Sequence, residues 1–455
     1  MSLGYGVVQL DVTIVNVAIN AIGQSFGGKV AGLQWVVSAY TIAFAAFILS
    51  AGALGDRVGA KRVFLAGFGV FTLASLACAL SPGLPWLIAA RAIQGLGAAV
   101  LVPNSLALLN HAYADGDARG RAVAAWAAGA SIALTIGPLV GGSLIEAFGW
   151  RSIFLVNLPI GALGLWLTWR YAKDTAINPS RELDLPGQIA AVLMLGALAA
   201  ALIEGGSLGW ADAWVMASFA AGVGLFVAFA VIELRTAQPM LPPALFSSPI
   251  FTAATAAGLL VNITFYGLIF VFSLYFQRVQ HLSALWTGLT FVPMTFACFL
   301  ANLVAARFGA RAGARTAIAT GSGIMAVACL LMLGIDARTP YIWLLVPFIG
   351  LGGGLGLLVP PLTSALLGSV EKSRSGIASG VLNASRQTGS VLGVSLFGSW
   401  LAGSGGLVAG VRLDLLASAV CLALAAGAIG PGVAALARAP GRRRNRADGR
   451  RPAKP

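Results

Sequence analysis

The stretch Gly52-Ala-Leu-Gly-Asp-Arg-Val-Gly-Ala-Lys-Arg62 is a short basic turn between two long apolar segments. Within this turn, Arg57-Val-Gly-Ala-Lys61 resembles Arg311-Ala-Gly-Ala-Arg315, which lies 254 residues later and also joins two apolar segments. Further along, Leu101-Val-Pro-Asn-Ser matches Leu358-Val-Pro-Pro-Leu at an offset of 257. These matches predict a chain built from two similar halves.

The composition predicts a polytopic α-helical membrane protein. Of the 455 residues, 58% are apolar and only 10% are charged, and the mean hydropathy is +0.88. Soluble domains carry about 25% charged residues. A β-barrel is excluded because its apolar residues would alternate with polar ones. Fourteen apolar segments are predicted to span the membrane, at 5–23, 32–54, 63–81, 85–109, 121–146, 152–171, 187–206, 213–234, 251–277, 283–305, 316–334, 341–367, 377–402 and 409–436.

Both repeat matches correspond to a shift of eight segments, so segments one to six match segments nine to fourteen. We therefore expect an all-α fold of two six-helix bundles with two inserted helices, and a substrate site near the membrane midplane between the bundles. The predicted units are an N-terminal bundle (1–172), the inserted helices with their linkers (173–249), a C-terminal bundle (250–436) and a basic tail (437–455).

Lys and Arg are concentrated in alternate connections. Of the 29 such residues, 22 lie in one set of connections together with the tail, and five lie in the opposite set. Because basic loops stay in the cytoplasm, this asymmetry predicts an inner-membrane protein with both termini cytoplasmic. It explains the net charge of +14 without a nucleic-acid partner, and makes the lipid bilayer the expected surroundings.

One acid lies deep inside the first apolar segment. Asp11, with Thr13 and Asn16 close by, is expected about 15 Å along a helix, near the middle of the hydrocarbon core. An ionisable residue there normally faces a polar cavity and serves transport of protons or substrate. Arg91, inside segment four, also needs a partner, and Asp11 is one candidate. The alternative for Arg91 is a structural tie to backbone carbonyls.

These segments carry a family resemblance. The 52–62 turn resembles the signature loop of the major facilitator superfamily, and Leu10-Asp-Val-Thr-Ile-Val-Asn-Val-Ala-Ile19 resembles the first-span motif of its fourteen-span drug:proton antiporter branch. Arg91-Ala-Ile-Gln-Gly-Leu-Gly97 and Gly137-Pro-Leu-Val-Gly-Gly142 resemble the fourth-span and fifth-span motifs. Asn20 departs from the proline that is usual in this family.

The resemblance implies a proton-coupled exporter of lipophilic, drug-like or secondary-metabolite molecules that works by alternating access, as a monomer and without a cofactor. Asp11 and Arg91 are the expected proton-coupling residues. We expect the cytoplasmic gate to comprise Gly52, Gly55, Asp56, Arg57, Gly59, Lys61 and Arg62. The expected antiporter motif is Gly137, Pro138, Gly141 and Gly142, for which a simple packing kink is the alternative. The expected substrate cavity comprises Asp11, Thr13, Asn16, Gln94, Asn262, Tyr266, Arg386 and Gln387, although Arg386 and Gln387 could instead reach the interface.

Other functions leave different marks in the sequence. No metal-ligand spacing is seen, and a lipid-modifying membrane enzyme would need a nucleophile or metal cluster that is not apparent. A passive channel does not explain the repeat, and a dedicated exporter of one endogenous metabolite remains open. The later segments are expected to lack a mid-membrane acid, since Asp336, Glu371 and Asp414 fall near segment ends or in loops. Neutral, weakly basic or zwitterionic lipophiles are therefore the expected substrates.

Overall fold

The computed structural model describes residues 1–113, 116–175, 177, 183–371, 374–403 and 405–438. This part of the chain is helical throughout, with short connections. Its helices are α1 (Ser2–Phe26), α2 (Val30–Val58), α3 (Ala60–Ala79), α4 (Leu84–Ala112), α5 (Gly116–Phe148), α6 (Ser152–Leu155), α7 (Asn157–Tyr171), α8 (Leu185–Leu208), α9 (Ala213–Arg235), α10 (Pro249–Leu274), α11 (Ala284–Ala312), α12 (Ala314–Leu331), α13 (Tyr341–Gly368), α14 (Ser375–Gly403) and α15 (Leu407–Arg438).

The predicted all-α membrane fold is confirmed. Within the described ranges, 13 helices are long and apolar enough to cross a membrane, α6 and α7 together counting as one. The remaining long helix, α14, has 29 residues, but polar residues such as Asn383 and Gln387 lower its hydropathy. Short polar caps start several helices: Asp212 and Ser283 each accept a hydrogen bond from a backbone N–H of the first turn. The predicted tail lies outside the described residues from position 439 onward.

The two halves use the same helix contacts. In the first half α1 packs on α5, α2 on α4, and α3 on α4 and α7; in the second half α10 packs on α14, α11 on α13, and α12 on α13 and α15. Gly59 and Gly313, equivalent in the sequence repeat, both have positive φ, 103° and 88°. That backbone conformation favours glycine, which lacks a Cβ. The exact division into 1–172, 173–249 and 250–436 stays a prediction.

The inserted helices lie at the seam between the halves. α8 packs on both α2 and α14. At one end of α8, Gln188 donates from Nε2 to the Ala46 carbonyl at 3.0 Å, and near the other end Trp35 donates to Glu204 at 3.3 Å. α9 packs on the outer side of α8 and leaves large apolar side chains such as Phe219 and Phe226 exposed. α8 therefore bridges the two halves, and α9 contacts α8 from outside.

Candidate proton and substrate site

Asp11 and Arg91 form an ion pair in the interior of the N-terminal half. Arg91 Nη1 lies 2.5 Å from Asp11 Oδ2, and the two residues are 1% and 0% exposed. Asp11 lies on α1 and Arg91 on α4, which are helices of 25 and 29 residues. The charged partner expected for Arg91 is thus Asp11. Buried charges are tolerated when they are paired and hydrogen-bonded in this way.

Two amide side chains also hydrogen-bond to the Asp11 carboxylate. Gln94 Nε2 donates to Asp11 Oδ1 at 2.8 Å, and Asn157 Nδ2 donates to the same oxygen at 3.2 Å. Ser75 Oγ accepts from both amides, at 2.9 and 3.3 Å. Every described hydrogen-bond partner of the carboxylate is a donor. The cluster therefore holds Asp11 by one ion pair and two amide hydrogen bonds.

Arg91 has further partners that the sequence did not reveal. Its Nε donates to the Val36 carbonyl at 3.2 Å, and its guanidinium carbon lies 4.2 Å from the centre of the Tyr40 ring. Tyr40 and Asn157 are therefore part of the site. Asn157 is a polar residue inside an apolar segment, which is a usable signal, whereas Tyr40 cannot be distinguished by sequence from the other aromatic residues.

A cavity of about 800 Å³ lies between the halves. Its walls come from α1, α2, α4 and α5 on one side and α11, α13 and α14 on the other. It reaches the connections at the basic end of the bundle, where Asp56, Asp184 and Met240 line it. Its wall also includes the stacked rings of Tyr5 and Trp126, with centroids 4.3 Å apart. Its volume falls in the range typical of sites for drug-sized ligands.

Of the predicted cavity residues, Arg386 lines this cavity and the others lie outside it. Asp11 and Gln94 are enclosed in the ion-pair cluster. Thr13, Asn16 and Asn262 hydrogen-bond to carbonyls of their own helices, on Gln9, Val12 and Gly258. Short polar side chains in a helix readily make this local bond. The space beside Asn16, Tyr266 and Arg91 is about 10 Å³, roughly the size of one water.

Gln387 is also buried, and its Oε1 has no hydrogen-bond partner among the described residues. The residues on the cavity wall that sequence reasoning did not select include Gln9, two residues before Asp11 on α1, and Thr363 and Asn383 in the second half. Their cavity-facing orientation depends on helix rotation, which a single sequence does not fix.

The end of the bundle opposite the cavity mouth is closed by contacts between the halves. Gln34 Nε2 donates to the carbonyls of Val394 and Ser395 at 2.9 and 2.7 Å. Arg278 Nε donates to Asn20 Oδ1 at 3.0 Å, so the residue that departs from the family's proline makes a cross-half bond. The molecule is thus open at its basic end and sealed at the other.

The predicted antiporter motif lies at a three-helix contact. A Cβ on Gly141 would lie 2.6 Å from Ile14 Cγ1 of α1, and one on Gly142 would lie 2.7 Å from the Ala284 carbonyl oxygen of α11. Gly137 likewise packs against Thr13, and the Pro138 carbonyl oxygen packs against Gly288 of α11. The glycines therefore permit α5 to contact both its own half and the other half. A role in transport direction stays a prediction.

The predicted gate residues lie at the cavity mouth and in the following turn. Gly55 packs against Asn104, whose Nδ2 donates to the Ala51 carbonyl at 3.1 Å, which joins the ends of α2 and α4. Gly52 and Asp56 line the mouth. Arg57 and Arg62 are exposed, whereas Lys61 is half-buried. The turn at Gly59 positions these charges, and their gating role remains to be tested.

A family model described as Major Facilitator Superfamily matches residues 1–394. The chain belongs to the major facilitator superfamily. It is 40% identical over 399 residues to the methylenomycin A resistance protein of Streptomyces coelicolor, covering 88% of this chain and 84% of that protein. It is 37% identical over 404 residues to the multidrug resistance protein Stp of Mycobacterium tuberculosis, covering 88% and 74%. A crystal structure of the peptide transporter POT in complex with sulfate superimposes with a TM-score of 0.68 at 17% identity, covering 95% and 94%.

Membership of the superfamily confirms the resemblance seen in the first, second, fourth and fifth spans. The structural likeness to POT concerns the fold alone. The superfamily consists of multi-pass membrane transporters, and the apolar helices of this chain agree with that placement.

Proposed function

We propose that this protein is a proton-coupled efflux antiporter that exports lipophilic, drug-like or secondary-metabolite molecules across the inner membrane by alternating access. The observation that carries the proposal is the combination of a buried, paired carboxylate at Asp11 with a separate cavity of about 800 Å³. The first is suited to exchange a proton and the second to hold the substrate. The relatives named as resistance proteins support export.

Proton coupling would act through α1. In the present arrangement Asp11 is paired with Arg91, while Ser273 Oγ of α10 donates to the Asn16 carbonyl at 2.5 Å and Gln277 Nε2 donates to the Val17 carbonyl at 3.0 Å. Protonation of Asp11 would weaken its attraction to Arg91 and allow α1 to shift. The bonds at Asn16 and Val17, which help to seal the two halves together, lie one to two helical turns along α1 from Asp11. Opening of the seal would then expose the cavity to the other side.

The cavity chemistry agrees with neutral, weakly basic or zwitterionic lipophiles. Aromatic and apolar surface dominates the inner wall, with amides for orientation and the Arg386 cation on one side. The carboxylates on the wall, Asp56 and Asp184, lie at the mouth. Both termini would be cytoplasmic, with the cavity open to the cytoplasm. We propose that the protein works as a monomer, needs no cofactor and catalyses no reaction.

The test uses everted membrane vesicles in which a pH-sensitive dye reports the imposed proton gradient. Addition of an exported lipophile, identified by survival of an efflux-deficient host on a compound panel, should release protons from vesicles that contain the wild type. Asp11→Asn should remove the substrate-induced proton release. The matched control is Asp336→Asn, an exposed loop acid whose carboxylate accepts hydrogen bonds from Arg338 and Thr339 in its own turn. Unchanged proton release by Asp11→Asn would refute the coupling role of Asp11.

A second candidate is a dedicated exporter of one antibiotic. It is favoured by the 40% identity to a protein named for resistance to a single compound. The same compound panel separates the two, because a dedicated exporter protects against one chemical class and a multidrug exporter protects against several.

A further inference from the structure

Two buried carboxyl groups meet where the inserted helices reach the mouth of the cavity. Asp184 directly precedes α8, and Glu233 lies in the last turn of α9. They are 7% and 3% exposed. Asp184 also belongs to the cavity wall, so one member of the pair lies at the cavity mouth while the other lies behind it.

Each carboxyl group uses one oxygen to bind a backbone N–H. Asp184 Oδ1 accepts from Gly187 at 2.9 Å and Glu233 Oε2 accepts from Leu241 at 2.8 Å. The other two oxygens, Asp184 Oδ2 and Glu233 Oε1, have no hydrogen-bond partner in the described part of the chain. A Cβ on Gly187 would lie 2.6 and 2.8 Å from these two oxygens. They therefore face one small space, which the glycine leaves open.

Two buried acceptor oxygens with no donor between them are costly to leave unsatisfied. Like charges that share a site do not both ionise readily, and one proton between them supplies the missing donor. We propose that Asp184 and Glu233 together hold one exchangeable proton, which forms a second proton site in the inserted helices. This site is separate from the Asp11 cluster, which lies within α1, α3, α4 and α7.

Among the described residues, Asp184 is the ionisable group whose charge acts on Glu233. On the elements that pack against α8, the same end carries Asp56 and Arg57 on α2, Arg235 on α9, and Arg386 farther along α14. Arg57 and Arg235 are exposed, and Asp56 and Arg386 lie on the cavity wall. Beside the pair, α8 and α9 pack through the apolar cluster of Ala190, Ala191 and Phe229.

The pair is tied to the segment that borders the mouth. Glu233 holds the backbone of Leu241, and the preceding residues Gln238, Pro239 and Met240 line the cavity. Ser50 of α2 approaches the Met240 sulfur at 3.7 Å. Loss of the proton would place two like charges against each other under this segment. Its position would then depend on proton occupancy, which gives the inserted helices a role at the cytoplasmic entrance.

The test measures proton binding in the purified full-length protein, without any substrate or transport. Infrared difference spectra, recorded between mildly acidic and mildly alkaline pH, report the carbonyl stretch of protonated carboxylic acids. The wild type should show a titrating carboxylic-acid band that is absent in Glu233→Gln and in Asp184→Asn. Asp11→Asn should retain this band, so that failure of the coupling role of Asp11 is distinguishable from failure of this proposal.

Glu233→Gln should still fold, because the glutamine nitrogen can donate to Asp184 Oδ2 while its oxygen accepts from the Leu241 N–H. Gly187→Ala should also change the band, since its methyl group would displace the facing oxygens. Gly196→Ala in the same helix is the matched control, because a Cβ there meets no atom within 4 Å. A spectrum of Glu233→Gln that titrates like the wild type would overturn the proposal. So would a wild-type difference spectrum that contains no carboxylic-acid band removed by Glu233→Gln, because the pair would then hold no exchangeable proton.

Discussion

Asp11→Asn removes one charge from a pair that has no access to water. The Arg91 guanidinium would remain 1% exposed with its Tyr40, Val36 and Gln94 contacts but without a counter-charge. Removing one partner of a buried ion pair costs about 3–5 kcal/mol. The remaining contacts of Arg91 and the nearly identical shape of asparagine place the expected loss near the lower end, at about 3 kcal/mol.

The charge origin of this loss can be tested with a second substitution. In Asp11→Asn combined with Arg91→Met, no uncompensated charge remains, so the double variant should recover about 2 kcal/mol relative to Asp11→Asn alone. Two substitutions that act independently would instead add their costs. The two side chains lie in direct contact, at 2.5 Å, which is the condition for strong coupling.

The assay is reversible unfolding of the detergent-solubilised protein by denaturant, followed by tryptophan fluorescence. Asp336→Asn, an exposed acid, should stay within about 0.5 kcal/mol of the wild type. An Asp11→Asn variant that loses less than about 1 kcal/mol, or a double variant that is less stable than Asp11→Asn, would refute the reasoning that an uncompensated buried charge causes the loss.

Three further predictions concern the seal and the second half. Gly142→Val should push α5 away from the α11 backbone, because a Cβ at this position would lie 2.7 Å from it. Cysteines introduced near Asn20 should then be labelled more readily from the outside. Gly196→Ala is the control, and unchanged labelling of Gly142→Val would contradict the prediction. Asn20→Ala removes the oxygen that accepts the 3.0 Å hydrogen bond from Arg278. The same labelling should rise about fivefold, as expected for the loss of about 1 kcal/mol. Labelling at the wild-type level would contradict a sealing role for this bond. Asp414→Asn should stabilise the protein against denaturant by about 1 kcal/mol, since both carboxyl oxygens are buried without a described partner; a loss of stability would mean that Asp414 has a partner in the folded protein.

Sequence reasoning placed the charged centre of the site but not its surroundings. Asp11 and Arg91 could be paired because each lay inside an apolar segment and needed an opposite charge. The cavity wall could not be predicted in the same way. Asn16 and Asn262 looked suited to bind substrate, yet each bonds to a carbonyl of its own helix. An amide can satisfy itself locally or face a cavity, and the residue type permits both.

Asp414 shows the opposite difficulty. By sequence it lies near the start of the last segment, where an interfacial carboxylate is expected, whereas the structure buries it completely in α15 against α10 and α12. The expectation concerned acids near the membrane midplane, and Asp414 lies near the start of α15, so that expectation stays a prediction. Position along the chain does not report burial, because burial depends on packing against neighbouring helices.

The sequence by itself determined the membrane class, the spans, the repeat and the family, because these follow from hydropathy summed over whole segments and from turns whose glycines and charges act locally. Only the tertiary structure decided which polar groups meet. Asn157 joins Asp11 from 146 residues away, and Asp184 meets Glu233 across the inserted helices. Such encounters depend on the rotation of each helix about its axis, and that rotation is set by packing against several neighbours at once.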